Sequence, residues 1–183
     1  VKAGDKIAGM RVIPLVIEKE KMERAKEAGG MSPVFELKLF LKKKAGIVTT
    51  GNEVYYGRIQ DTFTPVIKEK ISEYSVELIG QEVCNDNSQM ITAAIHRLLE
   101  KGADMVICTG GMSVDPDDRT PAAIRDAAQS VVTYGAPVLP GAMFLLAYTP
   151  NGIPIMGLPG CVMYAKRTIF DLALPRIIAD ERL

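Results

Sequence analysis

Beyond residue 44 the chain alternates short apolar runs with longer segments whose apolar positions recur every three to four residues, the signature of strands followed by amphipathic helices. Residues 45–50 form an apolar strand that runs into Gly51. Behind it Phe63, Ile67, Ile71 and Tyr74 share one helical face, with Thr64 and Pro65 placed to start that helix. Residues 76–83 read as a second strand. Asn85 to Ser88 supply caps for a helix that buries Ile91, Ala94, Ile95 and Leu98 and stops at Gly102. Residues 105–108 form a continuous apolar run, as in a strand covered on both faces, and lead directly into Thr109, Gly110 and Gly111. Thr120 and Pro121 read as cap and first residue of a helix through Ala128, residues 131–134 as a strand, and residues 153–156 as another strand after an Asn151-Gly152 hairpin turn. A closing helix follows Gly157 to Gly160 and is expected to bury Ile169, Leu172, Ala173 and Ile177. Strands alternating with helices through short connections predict an α/β fold, three-layer α/β/α, with a mostly parallel sheet and right-handed crossovers.

Residues 1–44 lack this rhythm and read as a flanking or linking segment, with the main domain at 45–183. Residues 10–17 resemble an edge strand, because Pro14 removes a ladder donor. Residues 18–28 form a highly charged helix closed by Gly29 and Gly30. Residues 34–41 alternate, with Phe35, Leu37, Leu39 and Leu41 on one side, and predict a strand with one covered face. A partner subunit covering that face makes a homo-oligomer the expected state. The chain opens on Val, which is expected for a piece of a longer protein.

Composition narrows the function. Of 183 residues, 48% are hydrophobic and 6% aromatic, with no Trp. Lys plus Arg equals Asp plus Glu at 22 each, so nothing in the overall charge calls for nucleic acid or an anionic membrane as partner. Cys84, Cys108 and Cys161 are odd in number and lack a Cys-x-x-Cys spacing, which speaks against a disulfide framework or a zinc site and for a reducing cytoplasm. No apolar run is long enough to span a bilayer. His96, the one histidine, falls inside a predicted helix, leaving little material for Ser-His or Cys-His catalysis.

Three loops follow predicted strands: Thr50-Gly51-Asn52-Glu53, Thr109-Gly110-Gly111-Met112-Ser113 and Gly157-Leu158-Pro159-Gly160. In a parallel sheet such loops share one edge, and glycines there let a ligand approach backbone N–H groups, an environment that favours phosphate or carboxylate. Taken singly, each loop reads more readily as a tight turn than as a cradle, and it is the three together that favour the cradle. No loop matches the Walker or Gly-x-Gly-x-x-Gly patterns. Acidic residues stand at the same ends: Asp86 after the second strand, Asp115, Asp117 and Asp118 after the glycine pair, Glu53 and Asp61 around the first loop. Such carboxylates suit magnesium, or two parallel hydrogen bonds from a pterin or purine edge. Asp115-Pro116-Asp117-Asp118 also reads as a surface turn, and Asp86 as a helix cap. Arg58 and Arg119 are the nearest cations. Cys161 and Met112 border the loops, and packing is the simpler role for each.

Taken in order, TTGNEVYYGRIQD, VCNDN, TGGMSVDPDDRTP and GLPGCV resemble the molybdopterin-binding domain shared by molybdopterin adenylyltransferase, molybdopterin molybdenumtransferase and gephyrin, over roughly residues 45–178. The resemblance implies a pocket for molybdopterin or its adenylate lined by Thr50, Gly51, Asn52, Thr109, Gly110, Gly111, Met112, Ser113, Gly157, Leu158, Pro159 and Gly160. It further implies Asp86 and Asp118 as functional acids and Mg2+ ligands, and Glu53 on the molybdate side. Ser113, two residues past the glycine pair, favours the molybdenum-inserting version. Asn52 stands where the family commonly has Asp, and Cys161-Val162 where transferases commonly read Asn-Pro. These departures keep a non-catalytic binding module open, and a similar domain in the competence-damage-inducible group keeps nucleotide processing open.

Overall fold

A computed structural model describes the chain except Val1, Met10, Val12, Val34 and Val114. It divides into two units, residues 1–38 and 39–183. Residues 39–44, grouped with the flanking segment in the sequence, fall in the second unit.

In the first unit, helix α1 (Lys19–Gly29) buries no side chain and ends where Gly30 turns to φ 62°. Its charges pair locally, Lys21 with Glu18 at 3.1 Å and Lys26 with Glu23 at 3.0 Å, and such exposed pairs contribute little. Among the described residues neither predicted strand forms. Met10, Val12 and Val34 lie outside the described residues; 13–17 and 35–41 carry no strand, and Phe35, Leu37 and Leu39 are exposed. Alternation specifies which side chains share a face, whereas a strand also needs a neighbour to complete its ladder, and of residues 35–41 Leu41 alone sends its N–H to a distant carbonyl, that of Ile178.

The second unit is built on a six-stranded sheet ordered β2-β1-β3-β6-β5-β4. The strands are β1 (Lys44–Thr50), β2 (Glu77–Cys84), β3 (Met105–Thr109), β4 (Ser130–Tyr134), β5 (Leu145–Tyr148) and β6 (Pro154–Leu158). β2, β1, β3 and β6 run parallel; β5 is antiparallel to both β6 and β4. The helices are α2 (Asn52–Tyr55), α3 (Phe63–Ser72), α4 (Ser88–Glu100), α5 (Thr120–Ala127) and α6 (Ile169–Ile178), with a 3-10 turn at Gly160–Met163. Helices cover both faces. Ile47, Ile107 and Met156 pack with Ile67 and Ile71 of α3 and Phe170 and Leu174 of α6. Val48, Val106 and Ile155 pack on the other side with Ile91, Ile95 and Leu98 of α4 and Ile124 of α5. This is the expected three-layer arrangement, and it explains why β1 and β3 are apolar at successive positions rather than alternating.

Three details depart from the sequence reading. β5 is an additional strand. α6 exposes Leu172 and buries Phe170 and Leu174, because two apolar stripes compete on that helix and the one facing Ile71 and Ile107 wins. Finally, α3 begins one residue before its expected cap, Thr64, and α5 begins at its expected cap, Thr120. Asp61, not Thr64, caps α3 through the N–H groups of Phe63 (2.8 Å) and Thr64 (3.1 Å), while Thr120 lies inside α5 with its hydroxyl engaged elsewhere. α4 follows expectation: the Asn87 side chain accepts from Met90 N at 3.0 Å.

Candidate functional site

The chain passes from β1 outward to β2 and then back across β1 to β3, so strand order reverses between β1 and β3. Loops at that reversal diverge and leave a crevice at the carboxyl ends. The three glycine loops leave β1, β3 and β6, which are consecutive in the sheet.

β1 and β3 are held together at their ends. Gly110 adopts φ +83°, and a Cβ there would lie 2.1 Å from the Thr50 carbonyl oxygen. Neither the torsion nor the space admits a side chain. The Thr50 hydroxyl lies 2.9 Å from that of Thr120, a buried pair that ties the end of β1 to the first turn of α5. Thr109, fully buried between Thr49 and Leu158, has a hydroxyl with no partner, the one such side-chain atom among the described residues. On the β6 side, a Cβ on Gly157 would meet Met112 Cε at 2.5 Å, so this glycine makes room for the buried Met112 side chain. Met112 is thus core packing, like the fully buried Leu158, and neither offers its side chain to the loop surface.

The acids fasten these loops. Asp86 Oδ2 accepts from Asn52 N at 3.1 Å, and Gly51 N donates to the Cys84 carbonyl at 3.0 Å, joining the first loop to the end of β2. Asp118 Oδ2 accepts from Ser113 N (2.6 Å) and Ser113 Oγ (2.7 Å). Asp115 Oδ1 accepts from Asp117 N at 3.1 Å, the turn geometry that Asp-Pro-Asp-Asp suggests. Asp61 joins no pocket: besides capping α3 it accepts from Thr49 Oγ1 at 3.0 Å and Gln81 Nε2 at 2.6 Å. Glu53 and Arg119 are exposed. Among the described residues no three His, Cys, Asp or Glu side chains gather into a metal cage.

Tyr134, absent from the sequence-based candidates, points its hydroxyl at the Ser113 carbonyl (3.4 Å). Burial, and secondly the Asp118 charge, push that phenol above its usual value. It closes the edge of the loop from β4, and the chance to find it lay in placing the end of β4 at the same sheet edge as the end of β3, which needs β5. Two cavities, of about 310 and 320 Å³, lie at the amino ends of the strands and between α3 and the 3-10 turn.

Cys84 and Cys108 are buried, and burial pushes both thiols above their ordinary value. Cys161 is partly exposed beside Gly160. Iodoacetamide at pH 8, followed by peptide mass mapping, is expected to label Cys161 in the folded protein and the other two only after unfolding; labelling of Cys108 under native conditions would contradict the buried placement.

Residues 46–179 match the family model described as "Probable molybdopterin binding domain". The chain belongs to this family. Its structure is similar to the molybdopterin biosynthesis enzyme MoaB of Thermus thermophilus (TM-score 0.64, 23% identity, 76% of this chain and 98% of that one). It is also similar to CinA, a protein of unknown function, of Thermoplasma acidophilum (TM-score 0.60, 20% identity, 75% and 98%). At those identities the likeness is one of fold. In sequence, 77 residues are 39% identical to a CinA-like protein of Mycobacterium avium strain 104, covering 42% of this chain and 18% of that protein. The chain therefore spans less than a fifth of that relative in the matched segment. As a molybdopterin-binding-domain protein it has the mixed α/β architecture expected from its sequence, and among the described residues no helix is long and apolar enough to cross a membrane.

Proposed function

We propose that the domain binds the phosphate of molybdopterin, or of its adenylate, across the carboxyl ends of β1, β3 and β6, and serves molybdenum insertion during cofactor biosynthesis. The observation that carries this reading is the side-chain-free contact of Gly110 with Thr50 at the point where strand order reverses. It draws the ends of β1 and β3 together beside Gly51 and Gly160, where a Cβ would meet nothing within 4 Å and backbone is open to a ligand, and Asp86 and Asp118 hold the flanking loops in place. The orphaned Thr109 hydroxyl at the same end supports a polar occupant.

Catalysis by such a site rests on positioning and fixed dipoles rather than on a nucleophile. Gly51 and Gly160, open where a Cβ would stand, admit the phosphate to backbone, while Gly110 and Gly111 let the ends of β1, β3 and α5 close up beneath it. Asp118 orients the Ser113 hydroxyl and N–H, and Asp86 does the same for Asn52 N. Glu53, exposed in α2, is the residue assigned in this reading to the molybdate side. Magnesium fits the donor chemistry: it favours one or two carboxylates plus substrate phosphate, and Asp86 and Asp118 each engage neighbours through Oδ2. Those two residues would hold it, and when bound it would neutralise phosphate charge.

Asp118→Asn can keep the Ser113 contacts through its amide oxygen, so it is expected to fold normally and to lower turnover of molybdopterin adenylate by about 100-fold. Unchanged turnover would sink the catalytic role of Asp118; unchanged binding with both Asp86 and Asp118 dispensable would identify a non-catalytic module. A second reading, a nucleotide-processing domain, is favoured by the 39% identity to CinA-like proteins. Calorimetry decides between them: heat with ADP-ribose and none with molybdopterin selects the second.

A further inference from the structure

The strand-end loops account for a phosphate but not for the ring that a pterin or nucleotide would bring. Immediately past Gly51 the chain makes a single helical turn whose aromatic residues are left outside the core. Tyr55 N donates to the Gly51 carbonyl at 2.9 Å and Tyr56 N to the Asn52 carbonyl at 3.0 Å. At 1.5 Å rise per residue this puts Tyr56 roughly 8 Å along from Gly51, within the span of a phosphoribosyl or pterin phosphate.

Phe144, Tyr148 and Phe170 are all but completely buried, whereas Tyr56 is 62% exposed and Tyr55 40%. The two tyrosines meet edge to face, with ring centroids 5.1 Å apart and planes at 79°, and the Arg58 guanidinium lies over the Tyr56 ring at 5.9 Å from its centroid. The turn that presents them is closed by hydrogen bonds: Gly57 N to the Val54 carbonyl at 3.0 Å and Arg58 N to the Glu53 carbonyl at 2.8 Å. An exposed ring on a hydrogen-bonded turn, braced by a second ring, is pre-organised, and tyrosine loses little conformational freedom on binding.

We infer that Tyr56, braced by Tyr55 and flanked by Arg58, is the stacking platform for the flat nitrogen heterocycle of the ligand whose phosphate the glycine loops hold. The inference rests on the phosphate reading given above and adds the ring subsite to it. A π face stacks on any flat base, so the same platform serves a purine or a pterin, while Arg58 adds a cation beside the ring.

The test is calorimetry of the full chain with AMP, neopterin 3′-phosphate and ribose 5-phosphate, on the wild type, Tyr56→Leu and Tyr56→Phe. Tyr56→Leu is expected to weaken the two ring-bearing ligands about tenfold and to leave ribose 5-phosphate within about twofold, with Tyr56→Phe close to wild type. Which ring-bearing ligand binds more tightly identifies the natural ring. Because the chain has no Trp, its six tyrosines supply its emission, and AMP should quench the wild type more than Tyr56→Leu. Equal weakening of ring-bearing and ring-free ligands, or none, overturns the stacking platform while the phosphate reading stands. A wild type that binds none of the three overturns both.

Discussion

Replacing Gly110 by alanine is expected to destabilise the second unit by about 3 kcal/mol or more and to abolish ligand binding at the strand ends. Two costs combine. A residue with a Cβ held at φ +83° is strained by roughly 1–2 kcal/mol. The added carbon would also sit 2.1 Å from the Thr50 carbonyl oxygen, and backbone on both sides leaves no flexible side chain to move away. Relief requires the end of β1 or the 109–118 loop to shift, which would part the Thr50 and Thr120 hydroxyls, 2.9 Å apart in the intact structure. For a chain of this size the expected fall in melting temperature is about 6–12 °C. Gly160→Ala is the control, because nothing lies within 4 Å of a Cβ there and the backbone is not left-handed. That variant should change stability by less than about 0.5 kcal/mol. If it nevertheless loses ligand affinity, ligand approaches the Gly160 backbone. A Gly110→Ala protein with wild-type melting temperature and affinity would show that the close approach of β1 and β3 is not needed.

The same contact shows how far the sequence reached. A glycine pair after an apolar strand reads more readily as a turn than as a cradle, and what explains this one is Thr50, whose partner Thr120 is 70 residues away and whose role as a neighbour depends on β1 and β3 being adjacent. Periodicity and caps made β1, β3 and α4 legible, because their signals are local: Asn87 caps, and Ile91, Ile95 and Leu98 share a face whatever lies opposite. β5 was not legible. Pro140-Gly141 is a turn signal before it, but Leu145 to Tyr148 is a four-residue apolar run with no period to read, and its order comes from pairing with β4 and β6. Residues 35–41 are the converse case, with a strand pattern and no ladder. Asp61 and Met112 were drawn toward the pocket by proximity in sequence, yet one caps α3 and the other fills the space beside Gly157. For Asp86 and Asp118 the structure adds what the sequence could not give, that each fastens a loop through Oδ2.

Lys70→Met is expected to be the most destabilising polar substitution in the second unit, at about 3–5 kcal/mol, through a mechanism remote from the strand-end loops. Lys70 Nζ lies 2.8 Å from Asp171 Oδ1 and donates also to the Lys166 carbonyl at 2.9 Å, and the side chains of the pair are only 9% and 5% exposed. Asp171 in turn forms a capping box with Thr168 at the start of α6, so one carboxylate ties α3, the segment after the 3-10 turn and α6 together. Removing the lysine leaves that carboxylate buried without its main counter-charge, although Arg167 stays 3.3 Å away. The pair also sets an acid limit. Burial pushes the Asp171 carboxyl up, but hydrogen bonds from Lys70 and Thr168 outweigh it and hold the group below its ordinary value of 3.8. A carboxylate depressed in the folded state stabilises at pH values above its unfolded pKa and loses that contribution as pH falls through the folded one. Stability should therefore be flat from neutral pH to about 5 and fall below about 4, where Lys70→Met should already be weak. Urea denaturation of both proteins at pH 7 and pH 3 checks this: the difference between them should shrink at the lower pH, as protonation removes the charge that the lysine balanced. A difference that is the same at both pH values would show that Lys70 acts through its packing alone.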